Sequence, residues 1–239
     1  MRCLTWNLEW AKRGTKRGGL LQQAIRDLDP HVVCFTEVTM GMVPDGHVIE
    51  ADPDYGYTHA GDRRKVVLWS KTPWTHGNCL GSPALPSGRF ATGVTQGIRF
   101  IGVCIPWKDA HVTTGRKDRK RWEDHLAYCR EFKAIIDAYL HDGFPICLLG
   151  DFNQRIPATS RNAASQALSA MLPPGFTVAT SGLLCPAGKA LIDHLVISED
   201  LSISQIKVLS NLAADGSRLS DHPGICAELS AKGQATEDR

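Results

Sequence analysis

The chain has 239 residues, of which 43% are hydrophobic and 22% charged, and its formal net charge is +2. This composition is typical of a globular protein with a sizeable core, and any attraction for a polyanion must come from local clusters of charge. No apolar run approaches the roughly 20 residues that span a bilayer, and the N-terminus lacks the apolar segment of a signal peptide, so we expect a cytoplasmic protein.

The chain contains eight cysteines, and none of them forms a CxxC pair. Several lie inside apolar runs, where a free thiol packs as a small hydrophobic side chain. Because no export signal is visible, we expect reduced thiols rather than a disulfide framework or a zinc site.

A strand, a basic loop and a helix are predicted first. Residues 2–8 are predicted to form a strand that ends near Asn7. The loop 11–19 that follows has four cations and no acid, namely Lys12, Arg13, Lys16 and Arg17. Apolar residues at spacings of three and four predict a helix over residues 20–28, which Asp29-Pro30 ends.

The next segments predict several strands separated by loops. A short apolar run, 32–35, predicts a buried strand with Glu37 at its carboxyl end. Glycines and prolines indicate a loop over 40–57. Strands are predicted over 64–70 and 98–105, while the intervening 77–93 is rich in Gly, Pro and Ser and gives no assignment.

The second half of the chain begins with a basic run, 116–121, that has five cations and one acid. Amphipathic spacing predicts helices over 122–141 and 160–172. Further strands are predicted over 191–197, 203–209 and 225–229. We therefore expect a single domain over 1–229 and a polar tail over 230–239.

The most informative stretch is residues 146–153, with the sequence ICLLGDFN. Four apolar residues predict a core strand, and Asp151 and Asn153 project to the same side if the chain stays extended. This would place a carboxylate and an amide together at the carboxyl end of a buried strand, where open α/β sheets bind ligands. The alternative is an Asx turn with no further role.

Polar residues recur at or beside the ends of apolar strand-like runs elsewhere in the chain. The set consists of Asn7, Glu37, Asp151, Asn153, Asp193, Asp221 and His222. Carboxylates are rarely buried unless they are paired or bind a metal. Oxygen donors of this kind suit Mg²⁺ or Mn²⁺, and together with basic loops they indicate a phosphate ester as substrate.

Six short motifs carry a family resemblance, and they occur across nearly the whole chain. They are Thr5-Trp6-Asn7, Thr36-Glu37-Val38, Val67 to Pro73, Leu149 to Asn153, Ile192-Asp193-His194 and Ser220 to Pro223. In this order they resemble the endonuclease/exonuclease/phosphatase superfamily, which includes the apurinic/apyrimidinic endonucleases and the pancreatic-type deoxyribonucleases. The resemblance implies an α/β fold, a four-layer α-β-β-α sandwich of two mostly antiparallel sheets with outer helices.

The resemblance also implies a metal site. Glu37 would be the main ligand of Mg²⁺ or Mn²⁺, with Asn7 and Asp221 completing or supporting the shell. The bound metal would neutralise phosphate charge and assist the departure of the leaving group in a phosphoester hydrolase.

The catalytic roles follow from the same resemblance. Asp151 would orient and deprotonate the attacking water, and Asn153 would hold the water or a phosphate oxygen. His222 would bond the scissile phosphate, and Asp193 would fix its tautomer. We expect His194 to be structural. Each of these residues also has an ordinary explanation, as a strand-end acid, a turn residue or a loop histidine.

One position departs from the family pattern. Many relatives carry His or Tyr where this chain has Cys104, and a thiol is a poor donor to phosphate oxygens. Either Cys104 belongs to the core, or another group replaces the missing donor. His111, Lys108 and Arg116 follow closely in sequence and are candidates.

The substrate is predicted from the basic loops. Nucleic acid is favoured because cations and tryptophans flank strands that should point towards the site; the candidate contacts are Arg116, Arg119, Trp107, Lys12 and Arg13, with Trp10 as a further stacking residue. The alternatives are a small phosphorylated substrate, such as an inositol phosphate, and a non-catalytic binding module with the same fold.

Overall fold

The protein is described by a computed structural model that covers residues 1–58, 61–112 and 116–232. Its described part contains two six-stranded β-sheets that pack face to face, with α-helices on their outer faces. The predicted four-layer α-β-β-α sandwich is therefore confirmed.

The first sheet has the strand order β11-β12-β1-β2-β4-β3. Strands β1 and β2 are parallel, and all other neighbours in this sheet are antiparallel. Its strands are β1 (Arg2–Asn7), β2 (Val32–Thr39), β3 (His47–Glu50), β4 (Arg63–Ser70), β11 (Leu201–Val208) and β12 (Ile225–Ala231).

The second sheet has the order β5-β6-β7-β8-β10-β9, and β7 and β8 are its parallel pair. Its strands are β5 (Thr75–Asn78), β6 (Phe90–Thr95), β7 (Ile98–Cys104), β8 (Ile146–Asp151), β9 (Thr177–Val178) and β10 (Asp193–Ile197). The prediction of two mostly antiparallel sheets thus holds for both.

In the described part of the chain, three α-helices cover the sheets. The helix α1 (Lys16–Leu28) packs on the first sheet, whereas α2 (Glu123–Tyr139) and α3 (Ala163–Met171) pack on the second. A separate apolar cluster fills the space between the sheets. Burying both faces of each sheet explains why the central strands are continuous apolar runs rather than alternating ones.

The prediction of a loop over 40–57 is wrong in part, since the segment holds a 3-10 turn, Met40–Met42, and the strand β3. The unassigned segment 77–93 overlaps β5 and the start of β6. Strands β3 and β5 lie at sheet edges, and most of their side chains are not buried. An edge strand without a buried face has no apolar alternation, so its sequence does not reveal it.

Helix α1 begins four residues before its predicted start because the side chain of Thr15 accepts a hydrogen bond from the backbone of Gly18 and caps the first turn. At the other end of the chain, β12 continues to Ala231. The predicted polar tail, 230–239, therefore begins inside this strand, and its residues 233–239 lie outside the described part.

All eight cysteines are free thiols, and most of them are buried. Within the described ranges, no helix has both the length and the apolar character that crossing a membrane requires.

Candidate active site

The polar residues predicted from strand ends come together at one rim of the sandwich. Asn7 ends β1 beside Thr36 of the parallel strand β2, so Glu37 follows on the same edge. In the other sheet Asp151 ends β8, and Asp193 begins the antiparallel β10 directly opposite it. The two sheets face each other, so these four side chains share one rim.

Asp151 is the centre of this rim and is 2% exposed. Its Oδ2 accepts hydrogen bonds from Nδ2 of Asn7 at 3.3 Å and from Nδ2 of Asn153 at 3.1 Å. Its Oδ1 accepts the backbone N–H of Asn153 at 2.9 Å. This last bond is an Asx turn, so the alternative read from the sequence is present and also shapes the site.

Two unusual backbone conformations hold this turn. Gly150 has φ of +140°, and a Cβ there would lie 2.0 Å from the carbonyl oxygen of Val103, so only glycine fits. Asn153 has φ of +53° and donates its Nδ2 to the carbonyl of Ile105 at 2.8 Å. The amide of Asn153 is therefore fixed, and its Oδ1 accepts no hydrogen bond from the described residues.

Asp193 and His222 form a close pair beside Asp151. Nδ1 of His222 lies 2.6 Å from Oδ2 of Asp193, and the Asp193 side chain is fully buried. Oδ1 of Asp193 has no hydrogen-bond partner in the described part of the chain. This contact fixes the ring so that Nε2 is the nitrogen left for other partners.

The loop that carries His222 is fastened to β1. The hydroxyl of Ser220 donates to the carbonyl of Asn7 at 2.6 Å and accepts the backbone N–H of His222 at 3.1 Å. The indole of Trp6 donates to the carbonyl of His222 at 3.1 Å. The histidine therefore has a fixed position relative to Asn7.

The charges at the rim shift the pKa values of two groups in ways that suit proton transfer. Burial raises the pKa of Asp151 to about 7, against the opposing charge of His222. Burial alone would lower the pKa of His222, but the charges of Asp193 and Asp151 raise it to about 10. Around neutral pH, His222 is thus a cation beside a carboxyl group that can gain or lose a proton.

Three ionisable side chains at this rim lie close enough together to ligate one cation when His222 is neutral. Asp151, Asp193 and His222 place one ligand atom each within 4.8 Å of one another. Together with Asn153, these three are the residues predicted to act in catalysis, and none of them is among the predicted metal ligands Asn7, Glu37 and Asp221. Burial raises the pKa of Asp151 and the charge of His222 opposes this, while the charges of Asp193 and Glu37 raise the pKa further, an effect that a bound cation would relieve.

The predicted metal ligands already have neighbours. Oδ1 of Asn7 accepts the backbone N–H of Glu9 at 2.9 Å. Oε1 of Glu37 is 2.5 Å from Nζ of Lys65, while Oε2 accepts no hydrogen bond from the described residues. The Asp221 side chain is half exposed, and its Oδ1 is 3.9 Å from Nε2 of His222. Each of the three side chains still has an oxygen lone pair that no described hydrogen bond uses.

Cys104 lies at the same rim, opposite Asp151 in the parallel pair β7 and β8. It is 1% exposed, and burial raises the pKa of its thiol to about 12. The thiol is therefore neutral and packed in the core between the sheets. This agrees with the core interpretation of Cys104, whose neutral thiol is a poor hydrogen-bond donor.

The basic residues predicted to bind substrate do not form one surface. Arg116 and Arg119 line a groove with Tyr57 that contains no residue of the rim. Arg13 lines another groove beside α1 with Arg26. Of the other predicted contacts, Lys12 is exposed, Trp107 is 48% exposed, and the ring of Trp10 stacks on that of Tyr55 with centroids 5.8 Å apart. The remaining cations of the first basic loop are paired, Lys16 with Asp215 and Arg17 with Glu9.

A different groove does reach the site. It has a volume of about 400 Å³ and extends from Asn153 along Lys108, Arg121, Trp122 and Arg155. Besides Asn153, the lining includes Lys108, a sequence candidate for the donor missing at Cys104, and Arg121, which belongs to the basic run 116–121.

Sequence reasoning also missed a network of neutral buried side chains behind the rim. Gln154 follows Asn153, and its Nε2 lies 2.5 Å from Nε2 of His125, whose Nδ1 is 2.7 Å from the carbonyl of Pro106. The carbonyl of Gln154 lies 2.9 Å from Nε2 of His194. His194 is thus placed as a structural residue, as its sequence position predicted.

Burial lowers the pKa of His125 to about 4 and also lowers the pKa of His194. Both rings are therefore neutral at pH 7. Their bonds fix the segment that carries Asp151 and Asn153. The sequence signal for such a pair is weak, since a histidine on an apolar helix face is common.

Comparisons with known proteins agree with this geometry. The sequence matches the endonuclease/exonuclease/phosphatase family over residues 4–222, which confirms the resemblance drawn from the motifs. No curated protein sequence matches the chain.

Several solved structures share the fold. The 3'-5' exonuclease NExo from Neisseria meningitidis has a TM-score of 0.71 at 19% identity, over 95% of this chain and 99% of that one. A Neisseria 3' phosphatase NExo bound to a product DNA hairpin has a TM-score of 0.69 at 18% identity, over 96% and 99%. An AP endonuclease from Archaeoglobus fulgidus has a TM-score of 0.71 at 14% identity, over 97% and 100%.

Proposed function

Because the chain belongs to the endonuclease/exonuclease/phosphatase family, we propose that it is a divalent-metal-dependent hydrolase that cleaves phosphodiester bonds in a nucleic acid. One observation carries the proposal. The Asp193–His222 pair and Asp151 place ligand atoms within 4.8 Å of one another at a rim built by both sheets. A cation can stabilise the charge on a phosphate, and a carboxyl group that titrates near pH 7 can accept a proton from water, so both suit phosphoester hydrolysis.

Asn7, Glu37 and Asp221 would hold Mg²⁺ or Mn²⁺ through oxygen atoms, with Mg²⁺ favoured because no soft ligand is present among them. The metal would supply charge neutralisation at the phosphate and at the leaving oxygen.

The chain's own residues perform the remaining steps. Asp151 in its carboxylate form accepts a proton from the attacking water and orients it. The free Oδ1 of Asn153 accepts a hydrogen bond from that water, since its Nδ2 is already bonded to Ile105 and Asp151. Nε2 of His222 donates to a phosphate oxygen, where it stabilises the charge that develops as the bond breaks.

Asp193 holds His222 in the required orientation. Its Oδ2 accepts the Nδ1 proton at 2.6 Å, and its charge contributes to the raised pKa of the imidazole. The Nε2 proton therefore stays on the ring at neutral pH and is available to the phosphate.

Three features favour a nucleic acid over a small phosphate ester. The groove beginning at Asn153 is lined by the cations of Lys108, Arg121 and Arg155, which can contact successive phosphates. Trp107, nearly half exposed next to Lys108, offers a ring on which a base can stack. The neighbour bound to a DNA hairpin shows that this fold accepts such a ligand.

The test is hydrolysis of single-stranded DNA, duplex DNA with an abasic site, RNA and an inositol phosphate, with Mg²⁺, with Mn²⁺ and with EDTA. We expect metal-dependent cleavage of a polynucleotide that the His222→Ala variant loses. His141→Ala, which removes an exposed histidine after α2, is the matched control and should cleave like the wild type. Hydrolysis of the inositol phosphate alone would support a metal-dependent hydrolase and contradict the proposal that its substrate is a nucleic acid.

A further inference from the structure

Lys65 lies at the candidate site and has no role in the proposed chemistry. It stands on β4 opposite Glu37 of β2, between the paired positions Thr36–Val66 and Val38–Arg64. Its side chain is only 13% exposed. A buried lysine needs partners for its charge, because an unpaired ammonium in the interior costs several kcal/mol.

The ammonium of Lys65 is held by three groups. It donates to Oε1 of Glu37 at 2.5 Å, and it lies 5.1 Å from the ring centre of Trp10 and 5.8 Å from that of Tyr55. Rings attract the charge but accept no conventional hydrogen bond from it. Since an ammonium has three N–H donors and one of them serves Glu37, donors remain for a further acceptor.

The same rim lacks a donor where Cys104 stands. Among the cations whose charges lower the pKa of the buried Cys104 thiol, Lys65 has a larger effect than Arg89, against the raising effect of burial. Lys65 and Cys104 belong to opposite sheets, and their strands β4 and β7 contact each other.

Other cations near Cys104 have different surroundings from Lys65. Arg89 is 2% exposed, and its Nη1 donates to the Cys104 carbonyl at 3.2 Å and to Sγ at 3.8 Å, so it binds Cys104 itself and is shielded from solvent. Lys108 pairs with Asp109 at 2.8 Å. Nδ1 of His111 accepts the backbone N–H of Arg119 at 3.0 Å.

We propose that the ammonium of Lys65 binds a phosphate oxygen of the substrate and replaces the donor that is missing at Cys104. Glu37 holds the ammonium through Oε1 and keeps Oε2 for another partner. Trp10 and Tyr55 fix the position of the charge without consuming its donors. The inference rests on the proposed function, since it concerns the phosphate on which His222 acts.

Lys71 provides a matched control at the other end of the same strand. It follows β4 directly, and its Nζ lies 2.5 Å from Oδ1 of Asp29, so it also forms a close ion pair with an acid. It is exposed and remote from the rim. Lys71→Met therefore also removes one positive charge, at the residue that follows the same strand, and leaves the candidate site unchanged.

The first experiment measures binding of a 12-nucleotide single-stranded DNA to the full chain in EDTA, over a series of salt concentrations. We expect Lys65→Met to bind about 10-fold more weakly, with a salt slope smaller by about 0.7, the value for one phosphate contact. Lys65→Gln, which keeps a donor for Glu37 without the charge, should behave alike, and Lys71→Met should match the wild type. Equal slopes for Lys65→Met and wild type would overturn the proposal.

The second experiment tests whether Lys65 acts by binding the substrate or by positioning the proposed metal ligand Glu37. With Mg²⁺ present, Lys65→Gln should lose about 100-fold in kcat/KM, the usual cost of removing one donor to a developing charge. The Mg²⁺ concentration giving half-maximal rate should stay within about twofold of wild type. If excess Mg²⁺ restores the lost activity, Lys65 acts only by positioning Glu37, and the proposal is wrong.

The outcomes also separate this inference from the proposed function. If Lys65→Gln cleaves as fast as wild type, the inference fails and the nuclease stands. If the wild type binds DNA but cleaves nothing, the proposed nuclease function is wrong. The difference in binding between wild type and Lys65→Met still tests whether Lys65 contacts a phosphate. Thermal unfolding by circular dichroism confirms that each variant is folded before either measurement.

Discussion

Two buried polar clusters hold the same turn, and they differ in charge. The charged cluster comprises Asp151, Asp193 and His222, and the neutral network comprises His125, Gln154, His194 and Thr180. The first touches the turn at Asp151 and the second at Gln154. Both lie in the interior, and every histidine in them has a partner for Nδ1.

The difference lies in what each histidine contacts. Nδ1 of His222 faces the Asp193 carboxylate, and the pKa of His222 is raised to about 10 despite burial. Nδ1 of His125 faces the carbonyl of Pro106, and burial lowers its pKa to about 4. Burial by itself therefore makes a neutral structural histidine, and buried carboxylates are needed to make a charged one.

Asp151→Asn is expected to show the largest functional difference between the charged cluster and the neutral network. This substitution removes the proposed base while keeping the shape, so kcat should fall by about 10³-fold. It also removes a buried carboxylate, so the metal-free protein should gain stability at pH 8. Steady-state kinetics and urea unfolding in EDTA measure the two effects, and an Asn variant that is active but less stable would contradict the assignment.

His125→Ala should show the reverse behaviour. It leaves a cavity and removes the partner of the Gln154 amide, which should cost about 3 kcal/mol of unfolding free energy. Activity should fall much less than in Asp151→Asn, because the ring touches no group of the charged cluster in the described structure. Urea unfolding with kinetics on the same samples checks this, and a loss of 10³-fold in kcat at full stability would move His125 into the active site.

The pH dependence of stability provides a third contrast. The pKa of His125 is lower in the folded than in the unfolded chain, so the unfolded chain binds more protons between about pH 6.5 and 4. Stability from this residue is present above pH 6.5 and is lost as pH falls, by up to about 3 kcal/mol at pH 4.

His125→Gln has no titrating ring and is the variant to compare. In EDTA, its unfolding free energy should decline less steeply than that of the wild type between pH 6.5 and 4. Parallel curves would show that His125 does not titrate with unfolding. His222 has the opposite sign, since its raised pKa gives stability that is lost as pH rises from 6.5 towards 10.

The smallest effect is expected within the charged cluster itself. Asp193→Asn keeps an acceptor for Nδ1 of His222 but removes its charge, so the pKa of His222 should fall by at least about 1 unit. It should remain above that of His125, because Asp151 is still adjacent. An NMR titration of the histidine Cε1 protons in EDTA measures both, with His125 unchanged as the internal reference.

Much of the fold and of the site could be predicted from local sequence. Apolar runs ended by polar residues located the central strands and placed Asn7, Glu37, Asp151, Asp193 and His222 at their ends. This works because strand period and turn chemistry act over a few residues. The family resemblance then implied two mostly antiparallel sheets packed face to face between outer helices. Edge strands such as β3 were not predicted, because few of their side chains are buried and their sequences therefore lack apolar alternation.

Partnerships across the sandwich were decided only by the tertiary structure. Lys65 and Glu37 are 28 positions apart and Asn7 and Asp151 are 144 apart, and each pair meets because strands of one sheet or of facing sheets end together. The cations of the two basic segments line separate grooves, because the packing of the strands and helices that carry them sets where each segment lies. Local sequence sets which residues end a strand, whereas the packing of two sheets sets which of those ends face each other and therefore which charges interact.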